Sequence, residues 1–361
     1  MTDYESIFRS QLEEMDFSGM EDILEAADLP QEITQSFSVK EIISNMLSGD
    51  AAISQESVFA VIKALFFGEL REFGVLAAEL ICICIIAGLL SSFTSGFGSG
   101  TASGMSSVIC SFAAAGICMT AFYQLYQLGI QSVSLMTTLM GASLPVIFAV
   151  TAVSGGAASA TVLSSVISAA VTAFSAFVRY VLMPAVFVSG IFTVANSVGR
   201  RSYIGKTAAF LRSAALFGMG AAITLFTGLS VIQGMMTKSA DDLLMKTARY
   251  SIDNLIPFVG GFAADSLEMI VTCIRSIRGG IGIAGVILLI LLLAGPLIKS
   301  VCIILIFRVT SLVLEPAGSD SMSDCMGDLA SAASVLTALL FLSSVMFIIF
   351  FTCVLRFAPS L

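Results

Sequence analysis

Between Glu79 and Arg179 lie 99 consecutive residues without a single Asp, Glu, Lys or Arg. Soluble domains carry about 25% charged residues, so a run of this length belongs in lipid or against helices that are themselves in lipid. The rest of the chain agrees: of 361 residues, 57% are hydrophobic and 12% charged, with a mean hydropathy of +0.99. That composition excludes a water-soluble enzyme. Histidine is absent as well, which removes Ser-His-Asp triads, Cys-His dyads, HExxH metal sites and His proton relays before any motif is sought.

Charge draws the main boundary. Residues 1–72 carry 15 acidic and 4 basic side chains, whereas residues 73–361 carry 10 and 13. The spacing predicts an all-α chain: a small acidic domain of amphipathic helices over 1–72, then a multi-span transmembrane domain over 73–361. In the first part Tyr4, Ile7, Phe8, Leu12 and Met15 recur at helical spacing, and Ser38-Val-Lys-Glu41 opens a further helix as a capping box. The opening Met1-Thr-Asp-Tyr-Glu5 is acidic and does not read as a signal peptide.

About seven to nine spans of roughly 20 apolar residues each are expected in a polytopic body of this length. The first covers about 74–94, the second about 106–129 and the third about 132–153, and Ser154-Gly155-Gly156 breaks the chain. Residues 158–198 are interrupted only by Arg179 and Pro184. Two tightly turned spans or one long span broken at the proline both fit, and two is the expectation. Arg200, Arg201, Lys206 and Arg212 form the densest basic cluster, which the positive-inside rule assigns to the cytoplasm. A span at about 213–235 leads into the polar interval 238–278. There Asp242, Lys246, Arg249 and Asp253 form one charged stripe of an amphipathic helix.

The run 279–314 is split by Gly295-Pro296, an acidic loop follows at 315–328, and a last span covers about 329–355. Alternate counting from the basic segment then places the N-terminal domain and the acidic loop outside and the C-terminus in the cytoplasm. Leu144-Pro145 precedes Met183-Pro184 by the same interval that separates Ile256-Pro257 from Gly295-Pro296, a spacing that hints at an internal repeat of broken helices, as in many transporters.

Apparent chemical motifs mostly dissolve on inspection. Gly280-Ile-Gly282-Ile-Ala-Gly285 satisfies GxGxxG, but a dinucleotide site needs a strand before it, and here an apolar run follows. A close-packed start to a membrane helix is the better reading. Gly205-Lys206-Thr207 resembles the end of a phosphate loop, yet Arg200 stands where that loop requires glycine. The eight cysteines are scattered without a CxxC pair and read as small buried apolar residues. No cofactor, metal or nucleic acid is expected as a ligand. Membrane lipid is an expected partner.

Charged groups near spans carry a functional reading because burying them in lipid is costly. Glu79, Arg179, Lys299 and Arg308 are therefore candidates, with Asn196, Gln233 and Asn254 as polar neighbours. For Arg179, Lys299 and Arg308, a position at span ends with the charge snorkelling to the headgroups is the expectation.

Several segments in order carry a resemblance. Val153-Ser-Gly155-Gly156-Ala-Ala-Ser-Ala-Thr-Val162, Ser230-Val-Ile-Gln233-Gly234, and Thr247-Ala-Arg-Tyr-Ser-Ile-Asp-Asn254-Leu-Ile-Pro257-Phe-Val-Gly260 are similar to signatures of the stage III sporulation protein AE family. So are Gly68-Glu-Leu-Arg-Glu72, the Gly280–Lys299 run and Asp324-Cys-Met-Gly-Asp328, and the order extends from about residue 35 to the C-terminus. The resemblance implies a non-catalytic, permease-like or export-gate-like subunit of a channel or secretion-type complex. Its partners would be co-encoded stage III sporulation proteins, a separate ATPase among them, and stage II sporulation protein Q across the intermembrane space. Its place would be the mother-cell membrane surrounding the forespore, with a role in sustaining late forespore gene expression. The resemblance also implies a cleavable signal peptide at the start, which the acidic opening residues do not resemble. The resemblance leaves a stand-alone transporter of a small solute as the alternative.

Overall fold

The structure, a computed structural model, describes residues 101–151, 157–198, 204–229, 260–316 and 320–356, together with Gly74, Ala78, Cys82 and Ile86. The expected acidic domain 1–72, Glu79, Gly155, Gly156, the expected charged stripe at 242–253, Gln233, Asn254 and Pro257 lie outside the described residues. Everything described in regular structure is helical: α1 (Thr101–Thr151), α2 (Ala157–Phe177), a π-helical turn (Val178–Leu182), α3 (Met183–Val198), α4 (Gly205–Leu229), α5 (Gly260–Leu314) and α6 (Asp320–Arg356). Among the described residues, four segments are long and apolar enough to cross a membrane: Ser165–Asn196, Gly205–Leu229, Gly285–Leu314 and Met322–Thr352.

Three expected breaks are absent, and each absence has a packing cause. The boundary sought near 129–132 falls inside α1, which continues for 51 residues. Gly129 serves close approach there instead of a turn: a Cβ on it would lie 3.1 Å from Cε of Met183 on the facing helix. The run 158–198 does not turn back either. Its helix is continuous, and the chain meets Pro184 by widening into the π-turn, where the Met183 N–H bonds the Val178 carbonyl. A proline cannot donate to the carbonyl four residues back and its ring crowds that group, so a wider turn just before it relieves both problems. Gly295-Pro296 likewise fails to split α5, a single helix of 55 residues. One lost backbone hydrogen bond costs less than the long burial of α5 against α6 returns.

Side-chain contacts fix the directions of the helices. α5 and α6 form an antiparallel hairpin clasped near its turn, where the Ser311 hydroxyl donates to the Ser323 carbonyl and the Ser323 hydroxyl to the Ser311 carbonyl, each at 2.9 Å. α1 runs parallel to α6 in constant register. Cys118 Sγ meets Met326 Sδ at 3.4 Å and Ser344 Oγ meets Met136 Sδ at 3.3 Å, both pairs 208 residues apart. α2 and α3 run antiparallel to α1, with Thr137 opposite Ser175 and Gly129 opposite Met183. α4 runs with α6: Arg212 touches Asp328 near one end and Thr227 touches Met346 near the other.

The acidic segment, of which 320–328 is already helix α6 and not part of the expected loop 315–328, therefore shares an end of the bundle with the basic start of α4. This corrects the placement of the two on opposite sides. The alternate count failed because it sent the 279–314 run across twice, whereas α5 crosses once. By the same geometry, the C-terminal end of α6 lies away from the basic segment, correcting the expected C-terminus on that side.

α6 is the axis of the core. Met326, Leu329, Ala333, Phe347 and Phe351 are wholly buried along it. Phe174 of α2 sits edge-on to Phe226, Phe347 and Phe350, with ring centroids 5.5, 5.9 and 6.3 Å away, the geometry that aromatic quadrupoles favour. Gly285, last of the GxGxxG glycines, lies directly under the Phe351 ring, which occupies the space a Cβ would need. That glycine serves helix packing, as expected.

Candidate functional site

Because the 158–198 run is one helix, Arg179 lies at the middle of the candidate span Ser165–Asn196. Lys299 is likewise central in Gly285–Leu314, and only Arg308 falls near an end. The expectation of span-end positions for Arg179 and Lys299 is thus corrected. It depended on breaks at Pro184 and Pro296 that the helices do not make.

Arg179 is placed by the π-turn. An ordinary α-helix advances each side chain by a fixed angle, whereas a π-turn accommodates an additional residue and so redirects the side chain it carries. The Arg179 guanidinium reaches α1, where Nη1 donates to Ser134 Oγ at 3.2 Å. It also packs over the neighbouring Tyr180 ring, 5.6 Å from its centroid. Its Nε is buried and has no hydrogen-bond acceptor. One turn away, Thr137 Oγ1 lies 2.7 Å from both Ser175 Oγ and the Val133 carbonyl. Ser134, Thr137, Ser175 and Arg179 thus form a polar rung between α1 and α2, in a stretch where the sequence supplies no carboxylate.

Arginine stays protonated in proteins and cannot serve as a general base, so the rung is suited to holding negative charge and unsuited to proton transfer. Among the described residues, no group of three His, Cys, Asp or Glu side chains could hold a metal ion.

The remaining candidates do not converge on it. Asn196 is near the other end of its helix, where its side chain packs against Gly205 and leaves its Oδ1 buried without a partner. Lys299 is half-buried on α5, and Gly260 begins that helix.

Sequence reading missed Ser134, Thr137 and Ser175. The available signal was their spacing: Ser134 and Thr137 are three apart, Ser175 and Arg179 four apart, so each pair shares a helix face. Arg212 and Asp328 were also missed as partners, because the two were assigned to opposite sides.

A model of the family described as stage III sporulation protein AE matches residues 37–358. The chain belongs to that family. The protein named stage III sporulation protein AE in Bacillus subtilis (strain 168) is 24% identical over 318 residues, covering 88% of this chain and 80% of that relative. No solved structure matches the chain. Membership in the AE family carries a role in sporulation, and the apolar helices of the bundle give this member its membrane character.

One segment that carried the resemblance now has a physical account. In Asp324-Cys-Met-Gly-Asp328, Cys325 and Met326 point into the core and both aspartates are exposed. Gly327 lies beside the Ser311 hydroxyl of the α5–α6 clasp, and Asp328 receives Arg212.

Proposed function

We propose that the chain is a non-catalytic, permease-like or export-gate-like subunit of a channel or secretion-type complex that links mother cell and forespore. It sits in the mother-cell membrane around the forespore, beside the other stage III proteins and a separate ATPase, and meets stage II sporulation protein Q across the intermembrane space. The observation that carries this reading is family membership along residues 37–358, joined to an apolar helical bundle with cations at mid-span. On this reading, the end bearing Lys206, Arg212 and the acidic segment 315–328 faces the mother-cell cytoplasm.

The test is deletion of the gene together with localisation of a fluorescently tagged copy after engulfment. Loss of late forespore gene expression, with the tag enriched around the forespore only when the other complex members are present, is the expected outcome. Uniform fluorescence and normal spore yield would overturn it. A stand-alone solute transporter is the second reading, favoured by the π-turn at Arg179, since interrupted helices at mid-depth are where transporters build their sites. Uptake of a small solute into liposomes by the purified chain alone would support that reading.

A further inference from the structure

The outward faces of the bundle differ in kind. On α4 and α5 they are what lipid favours: Phe210, Phe217, Leu225 and Leu312 are 70%, 80%, 73% and 67% exposed. On α1 the outward stripe is aromatic toward its start, where Phe112 and Tyr123 are exposed, but polar and small from Gln131 on: Gln131, Thr138 and Gly141 are exposed and Ser134 between them is half-buried. A Cβ added at Gly141 would meet nothing, so a neighbouring backbone could approach closely there. On α2 the matching stripe is the exposed Ser165, Ser168 and Thr172, which leads into the half-buried Arg179 of the π-turn. Each stripe repeats at helical spacing, and the hydrogen bond between Arg179 and Ser134 joins them. They therefore form one surface, on which Arg179 is the one charge among the described residues.

Lipid is a poor occupant for this surface. Membrane helices associate through small residues that let backbones approach and through Ser, Thr and Gln that bond across the contact, and charged groups at mid-depth pair with opposite charge. Arg179 has one serine hydroxyl and an aromatic face, with Nε still lacking an acceptor.

We infer that the α1–α2 face is the docking site for a membrane helix of another protein, one that carries an Asp or Glu at mid-depth and pairs it with Arg179. This deepens the assembly reading above and rests on it. The carboxylate neutralises the guanidinium charge, while Thr138, Gly141 and Thr172 give the incoming helix a close, polar seat.

The experiment uses the full chain in membranes of sporulating cells. Arg179→Glu is expected to accumulate normally but to lose co-purification with the co-encoded membrane proteins, and Arg179→Lys to keep it. A suppressor changing an Asp or Glu to Lys or Arg within a partner's membrane helix is expected to restore Arg179→Glu. Suppression by a change at Glu79 of this chain would overturn the inference, as would unimpaired assembly of Arg179→Glu.

Should Arg179→Glu fail to accumulate, a photo-crosslinking amino acid at Thr138 or Thr172, with Arg179 intact, decides the matter. Adducts mapped to a carboxylate-bearing membrane helix of another protein support it. Adducts only to lipid, as expected from a control at Phe217, or only to another copy of this chain, overturn it. Because cross-linking reads contact and not spore yield, it separates failure of this inference from failure of the sporulation-complex reading.

Discussion

Arg212 on α4 donates a hydrogen bond of 2.9 Å to the backbone carbonyl of Asp328 on α6 and holds the Asp328 carboxylate at 3.8 Å. The contact joins the basic segment that opens one helix to the acidic segment that opens another. It fixes which end of α4 lies beside which end of α6. Its energy is modest: the Asp328 side chain is 56% exposed, and such pairs contribute about 0–1 kcal/mol. Its value is as a marker of topology.

Sidedness follows from it. Lys206 and Glu315, both exposed, should react from one face of the membrane when each is replaced singly by Cys in a chain freed of its own eight cysteines and treated with an impermeant thiol reagent. A reporter fused after Leu361 should answer from the opposite face, since α6 crosses once more. Labelling of Lys206→Cys and Glu315→Cys from different faces would refute the antiparallel course of α5.

Gly285→Ala should destabilise the detergent-solubilised chain. The new methyl would collide with the Phe351 ring, and overpacking of this kind costs about 1–3 kcal/mol. Phe351→Leu in the same chain should restore much of the lost thermal stability, measured as the midpoint of heat-induced aggregation. If Gly285 instead belonged to a dinucleotide site, the second substitution would give no rescue and added nucleotide would shift the midpoint.

The hydrogen bond between Thr137 and Ser175 should have a measurable coupling. Removing each hydroxyl by Thr137→Val and Ser175→Ala, singly and together, is expected to show an interaction of about 0.6 kcal/mol, the average for such pairs in a membrane bundle. An additive double variant would mean that the 2.7 Å contact contributes nothing to holding α1 against α2.

How far the sequence could be read depended on which force decided each feature. The uncharged run from Leu80 to Val178 announces a membrane body because burying charge in lipid is costly everywhere along it. Helical periodicity is equally plain. The breaks were not, because Gly129, Pro184 and Pro296 look alike as local signals while their outcomes depend on the facing helix. Met183 fills the notch at Gly129, and the π-turn absorbs Pro184. Once those breaks were misplaced, Arg179 and Lys299 were pushed to imagined span ends and the acidic segment 315–328 to the wrong side. The pairing of Ser134 with Arg179 needs the antiparallel register of α1 and α2, which no local pattern contains.

The π-turn should be separable from the helix that carries it. An inserted residue held in a π-turn leaves the flanking α-helical segments in register, so removing one residue there should close the helix without rotating Phe174 or Val186 out of the core. Val181 is 51% exposed and makes little packing, which makes it the residue to delete, with Pro184→Ala added so that the closed helix has its N–H. This variant is expected to accumulate and to resist heat nearly as the parent does, while closure of the wide turn that aims Arg179 draws its guanidinium away from Ser134. A drop in thermal stability no larger than that of Ser134→Ala, together with loss of assembly, would show that the π-turn exists to aim Arg179. Collapse of the fold on the same deletion would show instead that the turn is needed to seat α2 against α6.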